Sequence, residues 1–188
     1  MKLIKIIIPC LLLTACFGSS KQAKFYTQTA ASAQAISADF TSLVGVNRIQ
    51  LPKYVDRPQM ITQQKDSTQV IISEYNRWVE FPAVLATRVV TEDLGLLLPA
   101  AQVKMNQLKG DKFDWTVSVD IVKINAVLGS QAEMVAWYTL KDKSGNVLTH
   151  QKFAQTVEIG NSYDDVAKGY SQLLAVLSQE IAAVLIKH

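Results

Sequence analysis

From Trp115 to Ile159 the chain reads as three consecutive β segments joined by tight turns, and this run limits the fold more than any other feature. Trp115, Val117, Val119 and Ile121 alternate with Thr116, Ser118 and Asp120, so the first segment has one apolar face and one polar face. Gly129-Ser130 turns the chain, Met134 to Leu140 forms a second strand, Lys143-Ser144-Gly145-Asn146 turns it again, and Val147 to Ile159 forms a third. Sequential strands with short connections pair antiparallel, which predicts a meander whose apolar face needs a cover. Two segments with helical spacing can supply it. Pro82 suits a first helical turn, and Leu85, Ala86, Val89, Val90, Leu94 and Leu97 follow at intervals of three and four up to Pro99. Ser162 and Asp165 stand as a capping pair, with Asp164 beside them, ahead of Val166, Tyr170, Leu173, Leu174, Leu177, Ile181, Val184 and Leu185. Lys187 and His188 follow where cations suit a helix C-terminus.

The first half adds fewer strands. Leu43 to Ile49 is β-rich and stops at Pro52, while Met60-Ile61-Thr62 and Gln69 to Ile72 flank a polar stretch and predict a hairpin. The order is therefore β-β-β-α-β-β-β-α. This predicts an α+β fold with a single domain over residues 41–188, a mixed or antiparallel sheet with the two amphipathic helices packed on one face. Hydrophobic residues make up 49% of the 188, enough for a packed core.

Ahead of that domain, Met1 to Lys5 carry two lysines, Ile6 to Leu13 form an apolar run too short to span a bilayer, and Leu13-Thr14-Ala15-Cys16 closes the segment. This ending resembles the lipobox of bacterial lipoproteins, which implies a signal peptide over residues 1–15. It also implies diacylglycerol on the Cys16 thiol and an acylated new amino terminus, so that palmitate enters the mature chain. Several acyl chains on one residue anchor a domain durably, where one alone does not. Phe17-Gly18 follows with no Asp after the cysteine, the pattern that favours the outer membrane in lipoprotein sorting. Residues 16–40 read as lipidated Cys and tether, with a polar spacer up to Lys24 and an Ala/Ser/Gln-rich loop over 29–38.

Several kinds of chemistry are excluded or disfavoured. Without Lys2 and Lys5 the chain has 17 basic and 16 acidic residues, too balanced for a nucleic-acid surface. Cys10 and Cys16 are the only cysteines and His150 and His188 the only histidines, so the body holds no disulfide framework and no Cys- or His-rich metal site. No G-x-S-x-G elbow and no phosphate-binding glycine loop occurs, and no cofactor site is expected. His150 reads as a half-exposed strand residue. The acidic pairs Glu92-Asp93 and Asp164-Asp165 read as solvated or capping carboxylates, because helical neighbours diverge. A catalytic role is the weaker expectation, an envelope hydrolase the least supported one.

Two segments stand apart. Leu51-Pro52-Lys53-Tyr54-Val55-Asp56-Arg57-Pro58-Gln59-Met60 puts Tyr54, Asp56 and Arg57 between two prolines. As structure, Asp56 pairs with Arg57 or caps a backbone N–H and Tyr54 covers the core edge; as function, the loop presents Tyr and Arg to a partner. Asn76-Arg77-Trp78-Val79-Glu80-Phe81 precedes the first helix, where Trp78 and Phe81 would staple the helix entry, or Trp78 would join the partner-binding set. These segments, with Phe25-Tyr26-Thr27 ahead of them, resemble the ABC-type transport auxiliary lipoprotein family, to which the PqiC lipoprotein belongs. Pro52, Tyr54, Asp56, Arg57, Pro58, Arg77 and Trp78 carry the resemblance, and Glu80-Phe81-Pro82 departs from the family's acidic-Pro-Leu pattern. The resemblance implies a non-enzymatic, periplasm-facing outer-membrane lipoprotein. It would work with an MCE-domain PqiB-like protein and a PqiA-like membrane protein in lipid transport between membranes. Self-association into a ring suits such a docking collar. The rival expectation is a domain that itself holds a lipid between helix and sheet.

Overall fold

The computed structural model describes residues 21–31, 34–107 and 112–188. Cys10, Cys16 and the whole expected signal peptide lie outside the described residues, as do Ser32 and Ala33 within the expected tether. The elements are β1 (Lys24–Tyr26), β2 (Leu43–Val46), β3 (Gln59–Gln63), β4 (Val70–Trp78), α1 (Pro82–Leu97), β5 (Gln102–Met105), β6 (Trp115–Val127), β7 (Gln131–Asp142), β8 (Val147–Glu158) and α2 (Tyr163–Leu185). They form an α+β domain with two mixed sheets, of order β5-β2-β6-β7-β8 and β1-β4-β3.

The expected antiparallel meander is present. β6 pairs antiparallel with β7 from Trp115↔Asp142 to Val127↔Gln131, and β7 with β8 from Gln131↔Glu158 to Lys141↔Val147. Val117, Val119 and Ile121 point into the core. A bulge between Ile121 and Lys123 then shifts the alternation, so that Ile124 and Ala126 are the next buried residues of β6. Met134, Ala136, Tyr138 and Leu140 of β7 and Phe153 of β8 complete the apolar face. α2 lies against β7 and β8, and α1 lies beside α2 over β5 and β2 of the same sheet. α2 starts at the expected capping box: Ser162 Oγ accepts the Asp165 N–H (3.1 Å), and Asp165 Oδ2 accepts the Ser162 N–H (3.1 Å). The helix comes close to the sheet at Gly169, where a Cβ would lie 2.5 Å from Ile159 Cγ2.

Two strands add to the expected order, both short and both paired in parallel. β5 follows α1 and pairs with β2 (Val44↔Val103), which itself pairs with β6 (Val44↔Trp115). β1 pairs with β4, Phe25 opposite Arg77 and Tyr26 opposite Trp78. One expected sheet thus becomes two because β4 runs on to Trp78 and takes β1, not β2, as its second neighbour.

The described residues after β1, up to 31 and from 34 to 37, lie on the helix layer as a strap. The Thr29 N–H donates to Ser171 Oγ on α2 (3.1 Å), the Ala31 N–H to Asp93 Oδ1 on α1 (2.9 Å), and the Ile36 N–H to the Leu97 carbonyl (2.8 Å). Asp93 was expected at the surface and is instead 1% exposed, between the strap and Ser178 of α2, whose Oγ lies 3.4 Å from Asp93 Oδ2. Helical spacing could not reveal this, since the partners come from two distant segments. Burial pushes the Asp93 carboxyl up to about 6; the Ala31 N–H and Ser178 hydroxyl oppose the rise, and Glu92 adds to it. With the folded pKa above the unfolded one, the native state binds this proton more tightly, so its contribution to stability declines as pH rises from about 4 through 6. Asp93→Asn is expected to remove that decline and to raise stability at pH 7 by roughly 1–3 kcal/mol, as read by urea unfolding at pH 4.5 and 7. Equal pH dependence in variant and parent would refute the assignment.

Candidate functional site

The loop between β2 and β3 joins the two sheets to the start of α1. Pro52 turns the chain, its carbonyl accepting the Val55 and Asp56 N–H groups (3.0 and 3.2 Å), and the Pro58 carbonyl accepts the Trp78 N–H (2.7 Å). α1 needs help at its first turn. Its N-cap residue, Phe81, has no side chain able to accept a bond, and Pro82 has no N–H, so the first orphan donor is the Ala83 N–H. Asp56 Oδ1 accepts it at 3.0 Å, which also sets a carboxylate at the positive end of the helix. The other oxygen, Oδ2, pairs with Arg48 at 3.6 Å, so the ion pair forms with Arg48 rather than with Arg57.

The four expected partner-binding residues therefore separate. Asp56 braces the helix. Trp78 is 4% exposed and stacked on Tyr170 of α2, with ring centroids 6.0 Å apart at 21°, which makes it the joint between β4 and α2 and not a surface residue of this chain. Arg57 is half-buried, and Tyr54 is 49% exposed at the loop's outer side. Tyr170 is buried beneath the loop; burial holds its hydroxyl well above the usual range, with Tyr54 and Glu133 adding to the effect. Of the four, Tyr54 and Arg57 remain as groups a partner can reach.

Behind the loop lies an apolar cavity lined by Gln28, Val55, Trp78, Ile121, Tyr170 and Leu174. The room in it for the centre of a water molecule is about 20 Å³, close to the minimum for a single water. Gln28 is 6% exposed and its Oε1 has no hydrogen-bond partner among the described residues. The sequence held no hint of this: a lone Gln in an Ala/Ser/Gln stretch carries no period. A second, open depression of about 390 Å³ lies on the face of the larger sheet away from the helices, bordered by Arg48, Asp120, Trp137, Thr139 and His150. There Trp137 and His150 stack with centroids 4.8 Å apart, and His150 Nδ1 lies 2.9 Å from Thr139 Oγ1. Among the described residues no group of three or more His, Cys, Asp or Glu is placed to hold a metal, and no helix is long and apolar enough to cross a membrane.

The family model described as "ABC-type transport auxiliary lipoprotein component" matches residues 26–182, from β1 to the last turns of α2. Two solved structures share the fold. One is an uncharacterized protein, 18% identical, with a TM-score of 0.72 over 88% of this chain and 99% of its own. The other is a Xanthomonas campestris protein, 13% identical, with a TM-score of 0.63 over 88% of this chain and 95% of its own. Among curated proteins no sequence matches the chain.

Asp56→Ala is expected to cost about 1–2 kcal/mol through loss of the α1 cap and to leave the fold intact, whereas Tyr54→Ala should shift stability by less than about 0.5 kcal/mol. Chemical denaturation of both variants checks this. Equal losses would mean that the loop's aromatic ring, and not its carboxylate, holds the helix.

Proposed function

We propose, because the chain belongs to the ABC-type transport auxiliary lipoprotein component family, that it acts as a non-catalytic docking subunit of an MCE-type transport system that moves lipids between membranes. The mature domain is anchored through acyl chains on Cys16 to the outer membrane and faces the periplasm. Its partners are an MCE-domain PqiB-like protein and, through it, a PqiA-like membrane protein. Copies of the chain joined in a ring would form a collar for the end of the transport channel.

One observation carries this reading. The cavity behind the Tyr54–Arg57 loop admits about one water, whereas sites that enclose small molecules measure roughly 300–1,000 Å³. A domain with so closed a core works through its surface. The loop backbone is held at both ends, by Pro52 and Pro58 and by the bonds of Asp56, and a loop already fixed in place loses little backbone entropy on docking. The second reading, a lipid held between helix and sheet, has the unpartnered Gln28 Oε1 in its favour and the cavity's size against it.

Pull-down of the lipidated protein from detergent-extracted envelopes should bring the MCE-domain protein with it. Tyr54→Ala combined with Arg57→Ala should reduce that yield about tenfold or more, as loss of two interface anchors does, while leaving the unfolding midpoint within about 0.5 kcal/mol of the parent. Recovery of the MCE protein at parental yield with the double variant would remove the loop from the interface; its absence from the parent pull-down would remove the docking role.

A further inference from the structure

The smaller sheet turns an apolar face outward on the side where the anchor must lie. Pairing of β1 with β4 sets Tyr26 opposite Trp78, and both rings face the core. By strand alternation Phe25 and Arg77 point the other way, and Tyr75 and Val79, two residues to either side of Arg77, share that outward face. Phe25 is 62% exposed, Tyr75 42% and Val79 50%. Among the described residues Phe25 is the most exposed large apolar side chain. The patch has a basic border. Lys21 Nζ lies 5.4 Å from the centroid of the Tyr75 ring, Arg77 shares the face with Phe25, and Glu74 is the acidic neighbour along β4.

Chain length says what this patch meets. Lys21 is five residues from Cys16 and Lys24 is eight, so at about 3.5 Å per extended residue the sulfur is held within roughly 18 Å of Lys21 and 28 Å of β1. A bilayer anchored at that sulfur lies within reach of the patch, and the patch has interfacial chemistry: aromatic rings suited to headgroup depth, with cations suited to lipid phosphates. We propose that the outward face of β1 and β4, through Phe25, Tyr75 and Val79 with Lys21 and Arg77, lies on the anionic headgroup surface of the anchoring membrane and fixes the domain's orientation there. This rests on the anchoring proposed above.

The test uses the acylated full-length protein in vesicles of phosphatidylethanolamine and phosphatidylglycerol. An environment-sensitive label is placed at Val79→Cys or, on the outer face of the larger sheet, at Lys152→Cys. The label at 79 should shift to shorter wavelength and be quenched by headgroup-region nitroxide lipids about threefold or more strongly than the label at 152. Adding Phe25→Ser and Tyr75→Ser, both at exposed positions, should abolish the difference while the circular dichroism stays parental. The intact mass of the mature chain reports the acyl groups in parallel. A chain without acyl mass overturns the anchor, and the docking with it. An acylated chain whose two labels are equally open to water overturns the docking alone.

Discussion

The β6-β7-β8 meander has one apolar face about twelve residues long, and covering it is the constraint to which the other elements answer. α2 supplies an unbroken stripe from Val166 to Leu185, and α1 lies beside it. The smaller sheet closes one end of the core by burying Met60, Ile61 and Trp78. The Trp78–Tyr170 stack ties that sheet to α2, and Asp56 ties the connecting loop to α1, so the loop's outer side is held still while its inner side is part of the core. Rigid placement of a few exposed groups on a filled core is what an interaction module needs, since little ordering entropy is then lost on docking.

The strap, described over residues 29–31 and 34–37, is the least expected component. It bonds to both helices and covers a buried carboxylate of α1, Asp93, which has no salt bridge among the described residues. Burial of an ionised group in this way costs stability near neutrality. What the carboxylate provides in return is an acceptor for the Ala31 N–H, which would otherwise be an unbonded donor at the helix layer. The path that follows β1 is therefore fastened to the helix layer at Thr29, Ala31 and Ile36.

Much of this was legible in the chain itself. The meander, its two turns and the capping box of α2 follow from local signals: alternation, Gly129 and Gly145 at the turns, and Ser162 with Asp165. All of them are satisfied within a few residues of where they are read. β1 and β5 were not legible. Each has three or four residues, and each is a strand only because a distant strand offers parallel hydrogen bonds. Asp93 misled for a related reason, and for Trp78, which read either as a staple of the helix entry or as a partner-binding residue, the stacking partner was not legible. Helical and strand spacing say which way a side chain points along its own element, but the strap and Tyr170 come from elsewhere in the chain. Asp56 was readable as a cap, though not as the cap of α1, because its partner lies 27 residues away.

The claim that orders the rest is that this domain acts by its surface and holds no cargo in its core. Native mass spectrometry of the protein extracted from membranes in mild detergent tests it most directly. The account expects each chain at the mass of its polypeptide and covalent acyl groups, with no further lipid retained as detergent is stripped away. One non-covalent lipid per chain, lost on Ala86→Trp or another substitution that fills the space beside Gln28, would contradict it.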